Sequence, residues 1–254
     1  MQDKRIKETT IPRFVNEGTP TLAGIIALFA TIILVLFVVK AASTSNTSLA
    51  TEATLELSWT NSDGTQSSGV VVVELYDDDA PIHVENFGIL AENGDYDGTV
   101  FHRIISNFMM QGGDFTNGDG SGGYAGKFFG YCDGQEADSA SDCTMSSYTV
   151  PDEADNGRNH APYALSMAKT SAAHTGGSQF FIVDGDGNGA PHLDGVHTVF
   201  GEVTSGFEHI DAITALCDTP PKQPKTCPND KTPQDVVLES VTTNMEDDSW
   251  WKFW

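Results

Sequence analysis

Positive charge is scarce in this sequence, and its placement matters more than the count. Only 13 of the 254 residues are Lys or Arg, against 36 Asp or Glu, for a formal net charge of −23. After Lys40 no Lys or Arg occurs until Arg103. Residues 1–40 hold Lys4, Arg5, Lys7, Arg13 and Lys40 against three acids, so the remainder carries eight basic and 33 acidic side chains. A body this acidic repels phosphate backbones and anionic headgroups, which argues against nucleic acid as a partner. A saline habitat or an ordinary acidic secreted domain would account for the excess equally well. Cysteine is scarce too: Cys132, Cys143, Cys217 and Cys227 are the four, and none form the close pairs of zinc sites. His160, His174 and His209 also lack ligand-like spacing, so no metal is expected and no cofactor is implied.

Charge is absent altogether from Thr21–Val39, a run of 19 residues. As a helix it would span roughly 28 Å, close to the hydrocarbon thickness of a bilayer. It shows no polar face, as a soluble core helix would. The basic residues before it and their absence after it predict a cytoplasmic arm (1–20), a transmembrane signal anchor (21–40) and an extracytoplasmic remainder. The protein would then be a single-pass cell-membrane protein. A cleaved signal peptide is the rival reading, but signal cores usually run ~7–15 residues. Outside the cytoplasm the cysteines are expected to be oxidised. Four cysteines allow three pairings. The local one, 132–143 and 217–227, is the simplest, since each bridge would staple one long loop and add ~2–3 kcal/mol.

The stretch Phe101–Phe115, FHRIISNFMMQGGDF, reads badly as a plain core strand. Arg103, a rigid fork of five donors that never loses its charge, sits in an apolar run followed by Phe108, Met109, Met110, Gln111 and two glycines. That grouping suggests an apolar pocket with one polar wall. The bland alternative is a buried strand whose arginine reaches an acidic partner.

Two further blocks, LSMAKTSAAHTGGSQFFIV at Leu165–Val183 and LDGVHTVFGEV at Leu193–Val203, follow in order. With the first, they resemble the cyclophilins, peptidyl-prolyl cis–trans isomerases, over roughly three quarters of the chain, from about Thr54 to Asn244. Glu153–Gly157 (EADNG) and the long loop between Ala168 and Gln179 look more like the bacterial-type branch. The resemblance lapses between about Tyr124 and Thr149. It implies a mainly β fold, a closed eight-stranded antiparallel barrel capped by two helices, filled inside by side chains so that the pocket lies outside. It implies proline-containing polypeptides as partners. Arg103 would be the catalytic donor, with Gln111 orienting it. Phe108, Met109, Phe181 and Leu193 would line the proline pocket, with His197 on its wall. His102, Gln179 and the main chain at Ala168 and Lys169 would contact substrate. Two positions depart from the family: Lys169 stands where many relatives have asparagine, and His192 where the well-studied ones have tryptophan. That tryptophan helps bind the inhibitor cyclosporin, so weak cyclosporin binding is expected here.

The rest of the chain is read from its residues. Residues 41–53 form a Ser/Thr/Ala-rich linker, 54–245 the isomerase-like domain and 246–254 an acidic and aromatic tail ending WWKFW. Thr54–Thr60 and Gly69–Tyr76 read as strands, the second as a continuous apolar run buried in the barrel. Asp77–Asp79 and Pro81 predict a capped helix start with Ile82, Phe87 and Leu90 on one side and His83 at the surface. Asp184–Gly189 (DGDGNG) resembles half of a calcium loop, but Gly195 stands where the closing glutamate belongs. A solvated loop is expected there. Phe207–Leu216 predicts a second helix and Val236–Val241 the last strand.

Overall fold

The computed structural model of the protein describes residues 15, 16, 19–21, 25, 26, 28–31, 48–217 and 236–245. The chain divides into two compact units, Met1–Thr47 and Ser48–Trp254. In the first unit the dipeptides Val15–Asn16 and Thr19–Pro20 pair antiparallel. Residues 25, 26 and 28–31 of the expected anchor are helical. Among the described residues no helix is long and apolar enough to cross a membrane. Most of the 21–40 segment, residues 41–47 of the linker and the 246–254 tail lie outside the described residues.

The second unit is built on antiparallel strands. β1 (Glu52–Thr60) and β2 (Gln66–Leu75) form a hairpin. Then come helix α1 (Pro81–Glu92) and strands β3 (Thr99–Val100), β4 (Arg103–Ile105) and β5 (Met109–Gly112). A small insertion follows: β6 (Tyr131–Cys132), β7 (Gln135–Glu136) and β8 (Tyr148–Thr149). β9 (Ala164–Met167), β10 (Phe180–Val183), β11 (Val199–Ser205), helix α2 (Phe207–Ala215) and β12 (Val236–Thr243) complete the unit.

Nine strands form one curled sheet in the order β3-β12-β1-β2-β11-β9-β10-β5-β4. The expected closed eight-stranded barrel is therefore corrected: the ladder is open, with β3 and β4 at its edges. The reason lies in the chain itself. β3 and β4 are consecutive and only Phe101 and His102 separate them, so the covalent chain bridges the edges where a ladder would otherwise run. Phe101 N–H is used instead by the Val236 carbonyl, at 3.1 Å.

Strand alternation sorts side chains to two faces. In β2, Val71, Val73 and Leu75 are buried, while Val70 is 48% exposed. The run of valines is thus buried on one face only, contrary to the expectation of a strand enclosed throughout. The inner face gathers Leu55, Leu57, Phe87, Tyr96, Phe101, Met110, Phe180 and Phe200 into the main core.

Helix α1 also departs from expectation at its start. Its cap residue is Ala80, which offers no side-chain hydrogen bond, and the Asp77–Asp79 carboxylates do not serve. The Glu153 side chain arrives from the EADNG segment and accepts from Ile82 N–H at 3.1 Å and His83 N–H at 2.9 Å. The same carboxylate meets His83 Nδ1 at 2.6 Å. His83 is consequently buried, not a surface residue. A helix start leaves unsatisfied amides, and any well-placed acceptor will serve, local or distant. Gly94, at φ +72°, follows the helix as expected.

Two tethers hold the loops near the sheet. Buried Asn86 donates to the Gly177 carbonyl at 2.8 Å and accepts from Gly126 N–H at 2.8 Å. Asp184, expected in a solvated loop, is 1% exposed. It accepts from Asn107 N–H and from the Thr214 hydroxyl at 3.1 Å, tying α2 to two loops.

Candidate active site

β5 and β10 pair in the register Gln111↔Phe181 and Val183↔Met109, so consecutive side chains diverge to opposite faces. Met110, Phe180 and Ile182 enter the main core, whereas Met109, Phe181 and Val183 form a second cluster with Tyr76, Ala164 and Val199. Phe108, Ile105, Ala168 and Leu193 pack against this second cluster from outside. Phe181 is 4% exposed, flanked by His197 at 5.8 Å edge-on and by His160 at 5.8 Å nearly parallel. His192 caps the rim, its ring 5.4 Å from Phe108.

Arg103 stands at the edge of this cluster, placed by the β4–β5 register opposite Gln111. Its Nη1 donates to Gln111 Oε1 at 3.3 Å and approaches Met109 Sδ at 3.9 Å. Its guanidinium carbon lies 5.8 Å from the Phe108 ring centre. Partial burial lowers its pKa, but it remains a cation at neutral pH. Among the described residues no carboxylate pairs with it. The acidic partner of the bland alternative is thus absent among the described residues.

A relay fixes the arginine. Gln111 Nε2 donates to Gln179 Oε1 at 2.9 Å, and Gln179 Nε2 donates to the carbonyls of Gly120 and Gly122 at 3.0 and 2.7 Å. The glycine loop is in turn organised by Asp114. Although partial burial alone would raise its pKa, amides of Asn117, Gly122 and Gly120 hold it down at about 2. Asp114 is thus an acceptor at every pH where the protein would work.

His197 Nδ1 lies 2.9 Å from the Met167 carbonyl, which can only accept, so Nδ1 carries the proton. Burial lowers the pKa of His197, keeping the ring neutral at pH 7. His160, which the sequence reading left without a role beyond excluding it as a metal ligand, stacks against Phe181. Its Nδ1 meets Asp194 Oδ1 at 2.8 Å and its Nε2 meets Ser166 Oγ at 2.9 Å. A signal was present in the sequence: a histidine five residues before the LSMA block, with an aspartate directly after Leu193. Nothing local connected them.

The structure brings Arg103, Phe108, Met109, Gln111, Ala168, Gln179, Phe181, His192, Leu193 and His197 to one face. Ala168 N–H is already given to the Gln179 carbonyl at 2.9 Å, so Ala168 can offer a peptide only its carbonyl. The side chains of His102 and Lys169 lie away from the apolar cluster, although the contact expected at Lys169 is through its main chain. His102 lies beneath the glycine loop, where a Cβ on Gly120 would come within 2.8 Å of its ring, and its ring nitrogens are buried without partners. Lys169 reaches Asp152 at 3.5 Å and the Ala172 carbonyl at 3.2 Å. Cys132 and Cys143 are bridged, with Cα atoms 6.4 Å apart, as the local pairing expects. Cys217 is disulfide-bonded as well, while Cys227 lies outside the described residues.

Comparison with known proteins fits this geometry. The family model described as cyclophilin type peptidyl-prolyl cis-trans isomerase/CLD matches residues 62–243. The chain is 44% identical over 136 residues to peptidyl-prolyl cis-trans isomerase B of Bacillus subtilis, covering 53% of this chain and 76% of that protein. It is 36% identical over 155 residues to an isomerase of Streptomyces antibioticus, covering 59% and 80% of the two chains. It is 36% identical over 177 residues to an isomerase of Arabidopsis thaliana, covering 68% and 89%. A crystal structure of a cyclophilin type isomerase from Cryptosporidium parvum superposes with a TM-score of 0.53 at 24% identity, covering 76% of this chain and 99% of that one. An arginine with no carboxylate partner among the described residues stands beside an apolar cluster on one face of the curled sheet, and the chain belongs to the cyclophilin-type peptidyl-prolyl cis–trans isomerases.

Proposed function

We propose that Arg103 catalyses rotation about Xaa-Pro bonds by donating to the proline nitrogen in the twisted state. The planar bond resists rotation with a barrier of ~18–20 kcal/mol because its partial double bond must be lost. At the twisted midpoint the nitrogen loses conjugation and becomes an acceptor. A donor aimed there stabilises the transition state and leaves the planar ground state alone. The observation that carries this reading is Arg103 itself: a cation with no carboxylate partner among the described residues, tied through Gln111 to Gln179 and facing Phe108 and Met109. Phe181, Leu193 and neutral His197 would hold the proline ring, and the Ala168 carbonyl would hold the flanking backbone. A protease-coupled assay on a short Xaa-Pro peptide tests it, with turnover expected in the intact chain and largely lost in Arg103→Ala.

The same reading extends to place and purpose. The protein would be anchored by residues 21–40 in the cell membrane, with its arm cytoplasmic and its isomerase domain outside, assisting exported polypeptides to fold. The charge-free run at 21–39 supports this, as does the Cys132–Cys143 bridge, which persists in an oxidising compartment. The Bacillus relative supports placing the chain with the bacterial-type branch. Protease added to intact cells would digest the C-terminal body and spare the arm. A mature protein beginning near Ala42 would overturn the uncleaved anchor. Cyclosporin would bind weakly, since His192 offers less area than an indole; tighter binding by His192→Trp is the expected result.

A further inference from the structure

Strand β9 ends at Met167, paired with Phe180, and the chain leaves the sheet directly after it. One more ladder bond follows, from Ala168 N–H to the Gln179 carbonyl at 2.9 Å. Beyond it the Ala168 carbonyl and the Lys169 N–H have no partner among the described residues. These are the main-chain groups expected to hold the peptide beside the Xaa-Pro bond, and neither belongs to a strand.

The Lys169 side chain supplies the hold that the ladder lacks. It is 5% exposed, and its Nζ meets Asp152 Oδ2 at 3.5 Å and donates to the Ala172 carbonyl at 3.2 Å. Lysine is almost never so buried unless it is paired. The same loop also grips the backbone around its partner. Asp152 N–H donates to His174 Nδ1 at 2.9 Å, and Val150 N–H donates to the Gly176 carbonyl at 2.9 Å. The loop is closed on itself by Thr175, whose hydroxyl accepts from Thr170 N–H at 3.1 Å and donates to the Ala172 carbonyl at 3.0 Å. Of these fastenings only the Lys169–Asp152 pair lies at the unpaired main-chain groups themselves. A buried ion pair is a poor source of stability, because desolvation offsets its attraction, and its best-attested use is to fix a position.

We propose that Lys169 is a positioning residue: its ammonium, clamped on Asp152, sets the main chain at Ala168 and Lys169 to hold the peptide flanking the Xaa-Pro bond. The inference rests on the isomerase reading above. It separates two tasks. Arg103 acts on the twisted bond, whereas the clamped main chain grips a backbone that is the same in the planar and twisted states. Binding of that uniform kind is felt in KM and not in kcat.

The test compares the full chain with Lys169→Met, which keeps the stem and removes the charge. Two substrates are used, a long Xaa-Pro peptide and one trimmed of its flanking residues. On the long peptide Lys169→Met should raise KM about three- to tenfold, the cost of ordering a loosened segment on binding, with kcat changed by less than about twofold. On the trimmed peptide, which does not reach the clamped segment, the two KM values should agree. Lys169→Arg should recover most of the loss. Asp152→Asn should match Lys169→Met, and the double variant should be no worse than either, as for one shared interaction. An unchanged KM on the long peptide, an equal rise on both peptides, or additive losses in the double variant would overturn the proposal. If either single variant fails to fold, the double variant, with both charges removed, decides by the same KM ratio. If the intact chain fails to turn over either peptide, the isomerase reading falls. Calorimetric affinities of the intact chain and Lys169→Met for the long peptide then decide the clamp by the same ratio.

Discussion

Phe180 and Phe181 are neighbours in sequence and belong to different parts of the molecule. Phe180 is wholly buried, with Phe87, Tyr96 and Phe101 around it at ring separations of 5.5, 5.5 and 6.0 Å. Phe181 has two imidazoles and a carpet of partly covered side chains for neighbours. One strand thus serves a closed aromatic core and an open apolar platform at once. The inner cluster holds the fold together. The outer one reaches solvent through the partly buried Ile105, Phe108, Ala168 and Leu193 packed against it, and it is ringed by groups that can hydrogen-bond.

The sharpest way to break that contrast is to truncate each phenylalanine. Phe180→Ala should cost about 3–5 kcal/mol of stability, read from urea unfolding, because four aromatic rings lose their shared contact. Phe181→Ala should cost less stability and raise KM for proline peptides. Equal destabilisation with an unchanged KM would mean that the two clusters are one core. Arg103→Ala comes next: about a hundredfold loss of kcat, on the order of 3 kcal/mol, with Tm preserved. Arg103→Lys should recover little, since a point charge cannot reproduce the fork. Peptide affinity should fall much less than turnover, as for an interaction made chiefly in the transition state. Normal turnover in folded Arg103→Ala would refute the assignment.

A smaller effect is expected on the inner side. Glu153→Ala removes the acceptor for two α1 amides and the partner of His83, and should cost about 1–2 kcal/mol without altering the apolar platform. The smallest effect is that of pH. Burial lowers the pKa of His102, of His160 and of His197. For a group whose folded pKa is depressed, the unfolded chain binds the proton first. Their contribution is therefore complete above the unfolded value of about 6.5 and is lost as pH falls below it, toward the folded values. Urea midpoints at pH 7.5 and 5.5 should show the drop, and His197→Gln should reduce it. A midpoint that rises on acidification through this range would contradict the buried-neutral assignment.

What could be read from the sequence divides along similar lines. Arg103, Phe108, Gln111, Phe181 and His197 were legible because a spaced motif carries them, and the fold brings them to one face. The helix over Phe207–Ala215 and the strand from Val236 were legible from periodicity. The cap of α1 was not, because its acceptor comes from Glu153, some seventy residues on, and no local pattern marks it. His83 was misplaced for the same reason. Asp184 looked like half a metal loop, and its carboxylate is spent on backbone and a threonine hydroxyl. The turn of the β6–β7 hairpin, Asp133-Gly134, is a strong local turn signal, and it lies in the stretch between Tyr124 and Thr149 where the resemblance lapses.

The pairing of β12 with β1 has a consequence for engineering. Thr243 lies opposite Ala53, and the Asn244 side chain accepts from the amides of Thr51 and Glu52 at 2.9 and 3.0 Å. The domain therefore begins and ends at one knot on its surface. A short linker across that knot, with new termini cut into the exposed segment around Asp138, would give a circular permutant that keeps every ladder of the curled sheet. Its entry and exit would then lie within the loop that the Cys132–Cys143 bridge closes, turning the knot into a seamless edge.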